Sequence, residues 1–200
     1  MTDVSQHFLE KVRRQLRGHK RLGEGAIAQL QDAERFVAPD PESNSMAILV
    51  NHLAGNMRSR FIDFLTTDGE KLDRHRDREF EVAANSWRDD IMRGREQGWA
   101  YVFVALDSLK PEDLTRTVYI RQEPQPVLQA LNRALAHYAF HAGQSVFLAK
   151  HLRSQEWKTL SVPRGKSEEF NRKFVEELHR SANVPRKEPT RKAWPPPGEC

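Results

Sequence analysis

Two histidines at helical spacing are the first residues in the sequence that could do chemistry. His137 and His141 are four residues apart, so on an α-helix both imidazoles leave the same face, about 6 Å apart. At that spacing both rings can bind one metal ion through nitrogens at about 2.0 to 2.1 Å. A third histidine, His52, lies in the most apolar segment and would join them if the two helices face each other. Separate core histidines, each hydrogen-bonded to a neighbour, are the alternative that spacing leaves open.

Three polar residues lie close to these histidines in the sequence and are candidates for the surroundings of the site. Asn56 and Gln144 each follow a histidine by about one helical turn, so each could line a pocket, orient a ligand or bridge two helices. Tyr138 lies beside the histidine face, where a core role is favoured over that of a catalytic acid. A fourth histidine, His19, has two basic neighbours that would repel a cation, so we exclude it as a ligand.

Three protein ligands would leave at least one coordination position open, which is typical of catalytic and not of structural metal sites. Three neutral imidazoles leave the ion its full double charge, so it could acidify a bound water or activate a bound thiol. Imidazole ligands suit Zn, Ni, Fe and Cu, and of these we expect Zn or Ni. The sequence assigns no catalytic residue beyond the metal ligands.

Helical periodicity predicts the elements that must position these residues. The predicted helices cover residues 12–37, 45–66, 80–106 and 126–152, with a short amphipathic helix over 167–181. Ser45 is the predicted N-cap of the second helix, and Pro126 the predicted first residue of the fourth. The only strand-like stretch is TVYIR (117–121), which QEPQP (122–126) is expected to end. This pattern predicts an all-α, up-down four-helix bundle with a short extra C-terminal helix.

Charge and composition bear on the possible partners. The chain has 32 basic and 28 acidic residues, a net charge of +4, and the charges are interleaved as in EKLDRHRDREFE (70–81). We interpret that stretch as a solvated helix face and expect no nucleic-acid partner. Residues 184–200 contain five prolines, so we expect a disordered tail after a domain over residues 1–183.

Location is predicted from what the sequence lacks. Its longest apolar runs fall far short of the roughly 20 residues that span a bilayer, and its first residues do not resemble a secretory signal. The single cysteine, Cys200, favours a reducing compartment. We therefore expect a cytoplasmic protein without a membrane partner.

Six stretches, taken in order, resemble the DinB-like superfamily of metal-binding proteins, and more narrowly one of its bacterial branches of unknown function. They are HLAGNMRSRF (52–61), TTDGEK (66–71), RDREFE (76–81), GW (98–99), HYAFHAGQ (137–144) and WKTLSVPRGKSEEFN (157–171). The likeness runs from the first predicted helix to about residue 171.

The resemblance implies a four-helix bundle, often a homodimer, with a divalent metal ion held by one histidine of the second helix and two of the fourth. His52, His137 and His141 match those three positions. The superfamily includes bacillithiol S-transferases and a mycothiol-dependent maleylpyruvate isomerase. We therefore expect a metal-dependent enzyme of thiol S-transferase or hydrolase type, acting on a small molecule that could be a low-molecular-weight thiol. The alternative is a stress-related metal-binding interaction protein without turnover.

Overall fold

The computed structural model describes residues 4–82 and 88–182 of the 200-residue chain, and these residues are mostly helical. The helices are α1 (Val4–Ile27), α2 (Met46–Phe61), α3 (Arg88–Ser108), α4 (Val127–Arg153) and α5 (Ser167–Ala182), and the strands are β1 (Thr117–Ile120) and β2 (Glu123–Pro126). Short 3₁₀ helices cover Ala33–Phe36, Arg76–Phe80, Pro111–Thr115 and Ser154–Glu156. Within the described ranges, no helix is both long enough and apolar enough to cross a bilayer.

The chain divides into two compact units. The first, Met1–Lys158, contains α1 to α4 and the two strands, and the second, Thr159–Cys200, contains α5. In α5 the rings of Phe170 and Phe174 stack one turn apart, with centroids 6.2 Å apart. The predicted domain boundary after residue 183 and the predicted disorder of 184–200 lie outside the described residues.

Helix α2 carries the first histidine and lies at the centre of the first unit. It begins as predicted, because the Ser45 hydroxyl caps it by accepting a hydrogen bond from the backbone N–H of Ile48 at 3.3 Å. Four of its first five residues are buried, namely Met46, Ala47, Leu49 and Val50. The helix packs against α3, against α4 and against the 3₁₀ helix Arg76–Phe80. It ends at Phe61, five residues before the predicted end.

Helix α4 carries the other two histidines. Pro126 is its N-cap and not its first residue, so the helix begins one position later than predicted. Its inner face is the predicted apolar line, on which Val127, Ala130, Ser145 and Leu148 are buried. This line packs against α1 and α2, which holds the two histidines on the inner side of the helix.

The first helix is shorter than its apolar periodicity predicted. It ends at Ile27 and not at Val37, because the N–H groups of Gln29 and Leu30 bond to carbonyls three residues back. This tightening is typical of a helix C-terminus. The predicted start of the third helix at Phe80 is also wrong, since Phe80 closes the 3₁₀ helix Arg76–Phe80. Trp87 lies outside the described residues.

The stretch expected to end the strand forms a second one. Glu123–Pro126 pairs with Thr117–Ile120 in an antiparallel hairpin, with Ile120 opposite Glu123. Prolines are tolerated in β2 because each strand of a two-stranded sheet is an edge. The turn residues Arg121 and Gln122 both have positive φ, 56° and 64°, as a two-residue type I′ turn requires.

The apolar core of the first unit lies between α1, α2, α3 and α4. Its most buried members are Leu9, Val12, Leu16, Met57, Val102, Leu106, Val127, Leu131 and Tyr138, and Trp99 packs with them. Gly98 lets α3 approach α2 closely, because a Cβ there would lie 3.3 Å from the Cα of Ala54. The core therefore fixes α2 relative to α3 and α4.

Candidate metal centre

The three histidines predicted as ligands converge at one place. His52 comes from α2, and His137 and His141 come from α4. One nitrogen from each ring lies within 4.8 Å of the other two. The Nε2 atoms of His137 and His141 are 3.0 Å apart. The cluster forms because α2 and α4 are adjacent, an arrangement that the sequence could only suggest.

The cluster has dimensions that suit a first-row divalent ion. Ligands at 2.0 to 2.1 Å from one ion lie about 2.9 to 3.4 Å apart for octahedral to tetrahedral angles. The 3.0 Å between His137 and His141 falls within that range, and a nitrogen of His52 lies within 4.8 Å of both. His52 and His141 are buried and His137 is partly buried. Three imidazoles in this arrangement could hold a metal ion.

The protonation states also favour metal binding. Burial, followed by the proximity of His141 and His52, lowers the pKa of His137 to about 3. Burial lowers the pKa of His141 as well, although its hydrogen bond to Gln144 acts in the opposite direction. Both rings are therefore neutral at neutral pH, so neither ring has to lose a proton before it binds a cation.

Gln144 determines which nitrogen of His141 is available. Its Oε1 lies 2.7 Å from Nδ1 of His141, and because an amide oxygen only accepts, we assign the ring proton to Nδ1. The lone pair of His141 is then on Nε2, which faces His137. Gln144 was one of the sequence candidates for orienting a ligand, and this contact has the required geometry.

Glu79 has the same relation to His52. Its Oε2 lies 2.8 Å from Nδ1 of His52, so the proton of that ring belongs on Nδ1 and Nε2 is available to a metal. Arg74 holds the carboxylate with two hydrogen bonds, of 2.8 Å to Oε1 and 3.0 Å to Oε2. Burial acts to raise the pKa of Glu79, but the bonds from His52 and Arg74 outweigh it and lower the pKa. The ionised carboxylate makes His52 a stronger ligand.

Gly55 provides the space that Glu79 occupies. A Cβ at this position of α2 would collide with the carboxylate of Glu79. The side chain of Asn51, one turn earlier, donates a hydrogen bond of 2.9 Å to the Glu79 carbonyl. Helix α2 therefore positions both the histidine and the carboxylate that orients it.

Glu79 was not among the residues predicted for the site. The interpretation of EKLDRHRDREFE as a solvated helix face is correct only in part, because most of its residues are exposed but the side chains of Arg74 and Glu79 are only 3% and 10% exposed. The segment folds into a 3₁₀ helix against α2, and its buried ion pair satisfies the buried histidine. One signal pointed to such a partner, namely a glycine three residues after a histidine in the most apolar helix.

Asn56 and Tyr138 form a buried link between α2 and α4. The Tyr138 hydroxyl donates to Oδ1 of Asn56 at 3.1 Å. Burial raises the pKa of this phenol, so it remains a neutral donor. The ring of Tyr138 belongs to the apolar core, in agreement with the role favoured from the sequence. His19 is absent from the histidine cluster found among the described residues.

A cavity of about 350 Å³ opens beside the histidines. Helix α2 lines it with His52, Asn56 and Arg60, which recur every four residues on one face. Helix α4 lines it with residues including Ala134 and His137. The cavity has the volume of a small-molecule pocket and reaches two of the three candidate ligands.

Comparisons with known proteins address the family and not the function. Searches among curated proteins and among solved structures gave no match. A family model matches residues 3–166, a stretch that includes all three histidines, Glu79 and the hairpin. The family is described as a protein of unknown function (DUF1572). Since the match covers most of the chain, this protein belongs to the DUF1572 family.

Proposed function

We propose that this protein is a DinB-like metal-dependent enzyme that holds one divalent ion through His52, His137 and His141. The observation that carries the proposal is the convergence of three buried or partly buried imidazoles, with one nitrogen of each within 4.8 Å of the others. The helix contacts support the bundle, since α1 packs on α3 and α4, and α2 packs on the same two helices. Such a closed ring of contacts is what a four-helix bundle requires.

An open coordination position supports catalysis over a structural role. The cluster in the described residues has three members, whereas structural zinc sites have four protein ligands. A zinc or nickel ion bound here would act as a Lewis acid toward a group entering from the cavity. The adjoining 350 Å³ cavity gives a small substrate access to that position.

The protein side chains around the site would hold the ligands and shape the substrate space. Glu79 and Gln144 fix the ring protons of His52 and His141, so that both Nε2 atoms face the site. Asn56 lines the cavity with an amide whose oxygen is anchored by Tyr138. The reaction classes that fit are thiol S-transfer and hydrolysis, because both need an activated nucleophile beside a small-molecule pocket.

A metal-binding interaction protein without turnover is the alternative function. The same three histidines would hold its ion, so the two functions differ in whether the ion promotes product formation. The homodimer and the cytoplasmic location expected from the sequence are also proposals. Light scattering of the purified protein tests the first, and fractionation of the source cells tests the second.

Metal titration of histidine variants tests the site. We expect His52→Ala to lower zinc affinity by orders of magnitude while the metal-free protein stays folded, since alanine favours the helix. His19→Ala is the matched control, because His19 is a half-buried histidine outside the cluster. Unchanged zinc affinity in His52→Ala would refute the ligand assignment.

An activity screen tests catalysis. The metal-loaded protein is incubated with low-molecular-weight thiols paired with electrophiles, and separately with hydrolysable esters and amides. Product formation that disappears on chelation and in His52→Ala is the expected result. A metal-replete protein that turns over nothing in either panel supports the interaction protein instead.

A further inference from the structure

Five arginines line the cavity beside the histidines, and its lining contains no carboxylate from the described residues. They are Arg60, Arg74, Arg76, Arg121 and Arg133. The rest of the lining is largely apolar and includes Phe61, Phe64 and Ile120. A guanidinium binds the paired oxygens of carboxylate or phosphate groups with two parallel hydrogen bonds. We propose that the cavity binds a small organic anion, with its carboxylate or phosphate head on the arginines and its apolar body on the aromatic and aliphatic side chains.

The inner arginines are held by carboxylates that do not themselves line the cavity. Glu70 is shared by three guanidinium groups: those of Arg60, at 3.1 and 3.2 Å, Arg121, at 2.9 Å, and Arg74, at 3.5 Å. Glu79 is the only other acid bonded to Arg74 in the described residues, and it also serves His52. Asp68 is a third carboxylate, close to Arg60. None of these acids is in the cavity lining, so among the described residues the charged side chains that line the cavity are all arginines.

The outer arginines have donors to spare. The side chains of Arg76 and Arg133 are about half exposed, and their acidic partners lie at 3.6 and 3.7 Å. In the described ranges neither guanidinium donates a hydrogen bond to another residue, because both ion pairs exceed hydrogen-bond length. An anion that enters the cavity can therefore be bound without breaking an existing hydrogen bond.

Helix geometry relates the arginines to the histidines. Arg133 precedes His137 by four residues on α4, which is one turn or about 6 Å along the axis. Arg60 follows His52 by eight residues on α2. Arg60 and Arg133 thus lie away from the histidine end of the cavity, whereas Arg74 lies beside it through Glu79. An anion bound by Arg60 and Arg133 would have its body near the candidate metal site.

The hairpin turn fixes a further arginine at the same cavity. The backbone N–H groups of Arg121 and Gln122 donate to the two oxygens of Asp68 at 2.9 and 2.7 Å. Both turn residues have positive φ although neither is glycine. Such backbone strain is tolerated where surrounding contacts enforce it, and it often marks functional positions. Here it places the Arg121 side chain in the cavity wall.

Calorimetric titration of the metal-free protein tests the anion site. The probes are 3-phenylpropionate, phenyl phosphate and the neutral 3-phenylpropanamide. We expect at least one anion to bind at least about tenfold more tightly than the amide, because only an anion forms charge-assisted bonds to the arginines. Preference between the two anions identifies the head group, and either preference supports the site.

Arginine variants show whether the cavity is responsible. We expect Arg133→Gln and Arg121→Gln each to weaken binding of the preferred anion at least about fivefold, since each removes a charged donor. Arg93→Gln is the matched control, because Arg93 is an exposed arginine paired with an acid, Asp90, outside the cavity. Circular dichroism of each variant confirms that it is folded.

The proposal fails if the anions and the amide bind with equal affinity. It is also refuted if neither anion saturates the protein below about 10 mM, the weak end of specific binding. It also fails if both cavity variants keep the parent affinity, or if anions bind only the metal-loaded protein. The role of the anion as a substrate rests on the proposed function, whereas the binding of the anion does not. Zinc titration of the same samples separates the anion site from the proposed metal-centred function, because anion binding without zinc uptake refutes the metal-centred function alone.

Discussion

Glu79 is the residue on which the orientation of His52 depends. It is buried, it accepts from Nδ1 of His52, and Arg74 holds both of its oxygens. A carboxylate that accepts from a ligating histidine raises the basicity of the ring and fixes its tautomer. The residue would therefore act on a metal bound at the proposed site through His52, without being a ligand itself.

Replacement of this carboxylate by an amide tests that role. We expect Glu79→Gln to weaken zinc binding about 10- to 100-fold, because the amide accepts the same hydrogen bond without the negative charge. Competition with a chelator of known affinity measures the change. Glu96→Gln is the control, since Glu96 is half exposed and pairs with Lys20 at 3.1 Å, away from the histidines. Equal zinc affinity in parent and Glu79→Gln would contradict the assignment.

A pair of glycine substitutions tests the fit between α2 and Glu79. We expect Gly23→Ala, where a Cβ meets nothing within 4 Å, to raise the free energy of unfolding by about 0.5 to 1 kcal/mol through helix propensity. Gly55→Ala should lower it by about 1 kcal/mol or more, because the new methyl group displaces the Glu79 carboxylate. Urea unfolding of the metal-free proteins measures both.

Measurement of zinc affinity distinguishes the loss of the contact between Gly55 and Glu79 from a general packing defect. Gly55→Ala should also weaken zinc binding, and in a Glu79→Ala background it should add little further loss, since the side chain that the methyl group displaces is already absent. Additive losses in the double variant would show that the two residues act independently.

At the scale of elements, the hairpin is held against the loop after α2 by one carboxylate. Asp68 accepts from the N–H groups of Glu70, Arg121 and Gln122, and the Gly69 N–H donates to the Tyr119 carbonyl at 2.8 Å. These bonds join segments that are distant in sequence and complete one end of the cavity. Loss of the carboxylate should therefore loosen the hairpin.

The pH dependence of stability tests this contact. Burial acts to raise the pKa of Asp68, but its backbone hydrogen bonds outweigh it and lower the pKa below the ordinary value of 3.8. A carboxyl group whose pKa is lowered by folding stabilises the fold at pH values above its ordinary pKa. This contribution to the free energy of unfolding is lost as the pH falls through the folded-state pKa. We expect Asp68→Asn to cost about 1 kcal/mol of unfolding free energy at pH 7.

The difference between Asp68→Asn and the parent should shrink as the pH falls below 3.8, because the parent carboxyl then becomes protonated. Urea melts at a series of pH values measure it. Asp77→Asn is the control, because the Asp77 side chain is 96% exposed. A difference that stays constant down to pH 2 would exclude the ionised carboxylate as its cause.

At the scale of the whole molecule, the proposed metal binding at the histidine cluster would be coupled to folding. Its members come from α2 and α4, two helices that contact each other in the folded first unit. A ligand that binds only the folded state stabilises it by mass action. With free zinc at about 1,000 times Kd, we expect about 4 kcal/mol of added stability and a Tm higher by about 8 to 16 °C.

Calorimetric scans with and without chelator measure this shift, and His52→Ala should abolish most of it. An equal zinc-induced rise in Tm for parent and His52→Ala would place the binding elsewhere in the molecule.

Composition alone supports a prediction for the C-terminal residues. Residues 184–200 include five prolines and little apolar surface with which to offset the entropy of ordering. We expect a chain ending at residue 183 to keep the zinc stoichiometry of the parent and its Tm within about 5 °C. A larger fall in Tm would show that the segment contributes to the fold.

The sequence by itself determined the local features of this protein. The four-residue spacing of His137 and His141, the capping hydroxyl of Ser45 and the apolar start of α2 act over one or two helical turns, so periodicity and capping rules reveal them. The apolar segment around His52 suggested a third member of the set, and the resemblance matched all three histidines to ligand positions.

Only the tertiary structure decided how distant segments meet. Glu79 pairs with His52 across 27 residues and from an irregular segment whose charges suggested exposure. The proline-containing strand β2 forms because β1 is adjacent to it, and the arginines share one cavity because α2, α4 and the hairpin converge. A buried charge is stable only beside its partner, and no local pattern specifies which partner the fold will bring.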